Sequence, residues 1–221
     1  MILMNTLAST IPFNQVSTGA VSAMFPTLFT PAGFTFSIWG VIYWLLLVGA
    51  ISYKTPIERK GLIVYLISVL FNISWLFAWH YLYIALSLFI IILMLVTLTY
   101  LITKGGFKGL FNIGISTYFA WIIIATIANT AIVLSTYNLA FFSNALLWLQ
   151  IILGVGFVLC LCITKRLNNT AVPAVFTWAY FGILLNHVNP STSHFLTVQI
   201  IITILVFLMV IAILIRKRHA L

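Results

Sequence analysis

Glu58 is the only acidic residue in a chain of 221. Without a second carboxylate there is no paired acid–base chemistry, no hard-metal site built on acidic oxygens and no acidic relay of the proton-pump kind. Cysteine is nearly as scarce. Cys160 and Cys162 stand two apart in one apolar run, where a helix turns them to different faces. They are expected as apolar filler and not as a disulfide. Charge of either sign is rare, at 5% of residues, too little to cover the surface of a water-soluble domain. No Gly-rich phosphate loop occurs, and no serine or cysteine nucleophile comes with a His/Asp pair. Hydrolysis and phosphoryl transfer are therefore not expected. The opening stretch MILMNTLASTIPF has neither a basic n-region nor a full apolar h-region, and is not read as a secretory signal.

What the chain does have is apolar length. Hydrophobic residues make up 64% of it, in runs of about 20 residues, each long enough to cross a bilayer. The periodicity predicts a partial helix over 1–10, too short to span, and a polar loop to 33. Spans are predicted over 34–53, 60–79, 81–103, 110–134, 142–164, 171–187 and 195–215. The ten basic residues fall on alternate connections: Lys54, Arg59 and Lys60, then Lys104 and Lys108, then Lys165 and Arg166, then Arg216, Lys217 and Arg218. The connections near 80, 135–141 and 187–194 have none. This alternation supports the seven-span count and puts the basic connections and the C-terminus in the cytoplasm. It also explains the net charge of +9 without nucleic acid as a partner.

Three of the predicted spans share one kind of face. In FTPAGFTFSIWGVIYW, residues 29–44, Thr30 is a predicted N-cap and Pro31 suits the first helical position. Phe36, Trp39 and Tyr43 then share a face, and Gly33, Ser37 and Gly40 form a small-residue face beside it, expected to admit a neighbouring helix. In YLISVLFNISWLFAWH, residues 65–80, one side carries Tyr65, Ser68, Asn72, Trp75 and Trp79. In YFAWIIIATIAN, residues 118–129, Tyr118, Trp121, Ala125 and Asn129 align. An unpaired amide in hydrocarbon costs several kcal/mol, so Asn72 must face protein or a cavity. An interfacial aromatic belt accounts for Trp79, Trp148 and Tyr53, but not for Trp121 near mid-span. Core packing, with the asparagines as interhelical glue, is one reading of the remaining set. A ligand cavity in the outer half, walled by flat rings with a few polar handles, is the other.

These segments resemble the TspO family of tryptophan-rich sensory proteins, related to the mitochondrial translocator protein (peripheral benzodiazepine receptor). FPTLFTPAGFTFSIWGVIYWLLLVG is similar to the family's loop and second helix, LFNISWLFAWH to its third, and YFAWIIIATIANTAI to its fifth. The resemblance implies an all-α integral membrane fold. Residues 1–138 would form the TspO-like helical bundle, a partial first helix plus four spans. Residues 139–221 would form an extension of three further transmembrane helices, as in long variants of the family. By motif, Trp39 and Tyr43 match site positions of the second helix, Asn72 and Trp75 of the third, and Trp121, Ala125 and Asn129 of the fifth. With Phe36 from the face analysis, these make the candidate ligand-binding set.

The family further implies a flat hydrophobic ligand such as a porphyrin, haem or sterol, and a sensory or regulatory role. No cofactor is required, although porphyrin or haem is a candidate ligand. Compact members imply a homodimer. Besides that ligand, membrane lipids are the expected partners, in a multi-pass protein of a bacterial plasma membrane. Alternatives are a transporter of small apolar molecules and a porphyrin-modifying activity; otherwise no enzymatic role is expected. No metal site is expected. The histidines lie at span ends or in the tail and read as interfacial, with His80 beside Trp79 the single candidate for an axial ligand.

Overall fold

The computed structural model describes residues 1, 4–5, 13–25, 27–137, 144–187, 200–209 and 211. The described elements are helical. A short helix α1, Thr18–Met24, is followed by a 3-10 turn, Gly33–Ser37, that runs into α2, Ile38–Ile51. Then come α3 Arg59–His80, α4 Ile84–Lys104, α5 Gly109–Thr136, α6 Ala145–Leu167 and α7 Ala171–Asn186, and α8, Ile200–Met209. Gly33–Ile51 and helices α3 to α6 are long and apolar enough to cross a membrane; α7 and α8 are shorter apolar helices. The protein is an all-helical, multi-pass membrane bundle.

The first six predicted spans agree with these helices to within a few residues; of the seventh, 195–215, the described part is helical and both ends lie outside the described residues. At one end of the bundle the described connections lie next to Lys54, Lys108, Lys165 and Arg166, and at the other the described turn over 81–83 is uncharged. The predicted loop over 11–33 is the exception, since it contains α1. Ser17 starts that helix by accepting a hydrogen bond from the Ala20 amide at 3.2 Å. Most of the expected partial helix over 1–10, and the basic tail at 216–218, lie outside the described residues.

Two details of the first predicted span, 34–53, differ from expectation. Thr30 does not cap it: the Thr30 hydroxyl accepts from the Thr27 amide at 3.0 Å and closes a turn before the helix. The helical course begins at Gly33 as a 3-10 turn, with no side-chain cap. The small-residue face does not admit a helix either. Gly33, Ser37 and Gly40 are exposed, and a Cβ on Gly33 or Gly40 would meet nothing within 4 Å. The close approach is made lower down, at Gly49, where an added Cβ would lie 2.6 Å from Phe111 Cα of α5.

Helix α5 is the axis of the fold. It packs against α2, α4 and α7, and every residue from Gly114 to Ile124 is buried. This is what an apolar helix without a polar face must do when neighbours surround it. Helix α3 packs on α4, and α6 on α7. The free cysteines divide as expected, Cys160 buried and Cys162 exposed.

Helix α7 has a further task. The segment before the 3-10 turn is irregular and partly buried, and buried irregular backbone must find partners in the protein. Helix α7 supplies them. Asn186 Nδ2 donates to Thr30 O at 2.9 Å. The Ala32 amide donates to Gly182 O at 2.9 Å. Trp178 Nε1 donates to Thr35 O at 2.9 Å. His187 Nε2 lies 2.6 Å from Leu28 O. Gly182 is the point of closest approach, because a Cβ there would collide with the Thr35 side chain.

Candidate functional site

Trp39 is the hub of a buried ring cluster at the uncharged end of the bundle. It stacks on Tyr43 at 5.5 Å and 18°, lies 6.0 Å from Trp75, and meets Tyr118 and Trp121 edge-on at 5.9 and 6.3 Å. Trp75 stacks on Trp79 at 5.7 Å and 17°. Phe36 meets Trp121 edge-on at 6.0 Å. These distances lie in the range of favourable aromatic pairs. The packing follows from sequence spacing: Phe36 and Trp39 are one turn apart, as are Trp75 and Trp79, and both pairs face α5 where Trp121 projects.

The rings surround a cavity of about 30 Å³, room for roughly one or two waters. Of the sequence-expected set, Phe36, Trp39, Trp75, Trp121, Ala125 and Asn129 line it. Tyr43 and Asn72 do not. They lie one turn deeper along α2 and α3, and the Trp39 ring stacked on Tyr43 roofs them off. Asn72 instead accepts a hydrogen bond from Asn5 Nδ2 at 2.8 Å, and its amide lies beside the Tyr43 and Tyr118 hydroxyls. Asn5 was invisible as a partner because it stands alone in a short apolar stretch with no periodic face. Asn129 also has a structural partner: its Nδ2 donates to Ser87 Oγ at 3.0 Å, joining α5 to α4. The glue reading therefore describes both asparagines, while Asn129 remains on the cavity wall.

Trp79 is not part of an interfacial belt. It is 4% exposed, lines the cavity and donates from Nε1 to Thr18 O at 3.1 Å. That bond ties down α1, which crosses the uncharged end of the cavity and contributes Ser22 to its lining. Asn14 Nδ2 adds a second tie, to His80 O at 3.1 Å. His80 is buried, not interfacial, with Nδ1 2.7 Å from Leu76 O. It is not among the cavity-lining residues. Among the described residues no group of three His, Cys, Asp or Glu side chains could hold a metal.

Two wall residues come from an unexpected place. Ala179 and Ile183 of α7 line the cavity. Phe29 and Pro31, from the loop that α7 holds, line it too. The sequence offered no pointer to Ala179 and Ile183, since no face of α7 stands out by polarity and its register against α5 is set by packing.

The polar edges of the rings are the chemically informative part. Trp75 Nε1 and Trp121 Nε1 are both buried, and neither has a hydrogen-bond acceptor among the described residues. Both residues line the cavity. Native proteins rarely leave such donors unmatched.

A family model described as TSPO-like protein matches residues 1–215. The chain belongs to the TSPO-like protein family. The match crosses position 138, so it takes in α6, α7 and the described part of α8 together with the earlier helices. No curated protein and no solved structure matches the chain. This TSPO-like bundle thus has a buried aromatic cluster whose walls come from α2, α3, α5 and α7.

Proposed function

We propose that this TSPO-like protein binds a flat hydrophobic molecule of the tetrapyrrole, haem or sterol kind in the aromatic cavity, and that occupancy carries a sensory or regulatory signal. The observation behind this reading is the pair of buried, unmatched indole N–H groups of Trp75 and Trp121 on an otherwise apolar wall. An apolar ring system bearing a carbonyl or carboxylate edge would stack on the indoles and accept from them. The ligand cannot enter the present volume. Small-molecule sites occupy about 300–1,000 Å³, against a cavity of about 30 Å³ here. Binding requires Phe36 and the α1 cover to move outward, which gives ligand binding a structural readout. The basic end of the bundle is assigned to the cytoplasm by the positive-inside rule.

Transport of apolar molecules is the second reading. It usually involves spans broken at mid-membrane, whereas the described spans α3, α4 and α5 each run unbroken. The experiment is a tryptophan-fluorescence titration of the purified protein with protoporphyrin IX, beside Trp39→Phe and Trp121→Phe. Saturable quenching is expected, weakened about tenfold by Trp121→Phe, which removes a donor of roughly 1.4 kcal/mol to a ligand. Weak, unsaturable quenching, equal in all three proteins, would sink the reading. Chromatography of the recovered pigment separates binding from modification.

A further inference from the structure

A second space lies outside the ring cluster. It is a groove of about 450 Å³ between α2, α5 and α7, and it shares no lining residue with the aromatic cavity. Ile38, Val41 and Leu45 form one wall, with Ile113 beneath and Ala174 and Val175 opposite. Val41 and Ile113 are exposed, so the groove opens on the lipid-facing surface. Its volume falls within the range of about 300–1,000 Å³ typical of a site for a small molecule. A protein helix would need far more area.

The groove is not uniform along its length. At one end Trp178 closes it, with the indole N–H committed to Thr35 O. At the other end it reaches Asn169 and Thr170, in the connection between α6 and α7. That connection follows directly on Lys165 and Arg166, both exposed in the last turn of α6. Lys108, which precedes the first turn of α5, is at the same end of the bundle and is exposed. The single acid, Glu58, belongs to the separate connection before α3. The apolar trough therefore ends at a polar connection that follows, within a few residues, on two exposed basic side chains outside its lining.

We propose that this groove holds an anionic glycerophospholipid, with an acyl chain along α2, α5 and α7 and the headgroup at Thr170, Lys165 and Arg166, beside Asn169, whose amide is held by Ser116 Oγ and the Ala171 N–H. Basic pockets between transmembrane helices recognise anionic headgroups, and each nearby Lys or Arg favours them about fivefold. The bound chain would touch all three helices and so fasten α7 to the earlier bundle.

The test uses the full chain, delipidated in detergent and reconstituted in nanodiscs of equal parts phosphatidylglycerol and phosphatidylcholine. Lipid that stays on the protein after detergent extraction is quantified by mass spectrometry. The wild type should retain phosphatidylglycerol in preference. Lys165→Gln with Arg166→Gln should lower that preference about 30-fold, from two charges. Ala174→Phe, which fills the trough, should remove the retained lipid altogether. Equal retention of the two lipids by the wild type would overturn the proposal, as would unchanged retention by Ala174→Phe. Should Ala174→Phe fail to give a monodisperse protein, the double charge variant decides: an unchanged preference overturns the proposal, and a lost one supports it.

Discussion

Two aromatic clusters lie at the two ends of this bundle, and the one at the uncharged end surrounds a cavity of about 30 Å³. At the basic end, Tyr53, Tyr65, Phe107 and Phe111 meet edge to face, with centroids from 5.0 to 6.4 Å apart. At the uncharged end, Trp39 stacks on Tyr43 and Trp75 on Trp79, with interplanar angles of 18° and 17°. Edge-on rings interlock, and the close approach at Gly49 draws α2 and α5 together beside them. The stacked pairs are joined to each other and to α5 by tilted and edge-on contacts of Trp39 with Trp75, Tyr118 and Trp121, and the cavity lies among these rings. The basic-end rings are phenyl and phenol groups, and Phe107 and Phe111 have no polar atom to satisfy. The uncharged-end cluster buries two N–H donors that have no acceptor among the described residues. Aromatic density is common to both ends; the cavity and the two indole N–H groups on its wall are what make the uncharged end the candidate site.

The sharpest way to break the comparison is at the tight end. Gly49→Val places a side chain against α5 backbone, which cannot yield as a side chain would, and should cost about 3 kcal/mol or more. Thermal unfolding in detergent should show it as a large loss of midpoint or as failure to purify. Next, Trp39→Ala removes the hub of the open cluster. A Phe or Trp truncation in a soluble core costs about 3–5 kcal/mol, but lipid tails offset the transfer part of that figure in a membrane. About 2 kcal/mol is expected from lost packing, with loss of protoporphyrin quenching in the same sample. Phe107→Leu should cost about 1 kcal/mol and leave the titration unchanged, because Phe107 is not among the residues that line the aromatic cavity. A change in ligand affinity from Phe107→Leu would erase the distinction between the two ends. Gly40→Ala should have the smallest effect, a gain of up to about 0.5–1 kcal/mol from helix propensity, since a Cβ there meets nothing. A clear loss would show that the small-residue face packs against something after all.

Much of the site was legible in the sequence because helical spacing is a local property. Phe36, Trp39, Trp75, Trp121, Ala125 and Asn129 fall on aligned faces, and the structure puts all of them on one cavity. Depth was not legible. Tyr43 and Asn72 share those faces but lie a turn below the cavity, behind a stacked ring. Trp79 sat where an interfacial tryptophan belongs, and only the position of α1 shows that it is a wall and an anchor. The cover itself was hidden, since a seven-residue helix such as Thr18–Met24 leaves little periodic signal in a polar loop.

Composition and hydropathy determined the class of this protein by themselves. A chain with one acid and runs of bilayer length has a single solvent in which its backbone and side chains are both satisfied. The alternation of basic connections fixed which ends of the helices lie together, because charge resists crossing the membrane. What the tertiary structure decided is how the helices meet. In lipid, apolar helices gain little from hiding apolar faces, so their register depends on side-chain shape and a few hydrogen bonds. That is why the role of α7 could not be read from a stretch in which no face stands out by polarity. Its Gly182, Trp178 and Asn186 hold the loop that roofs the cavity, and its Ala179 and Ile183 complete the wall.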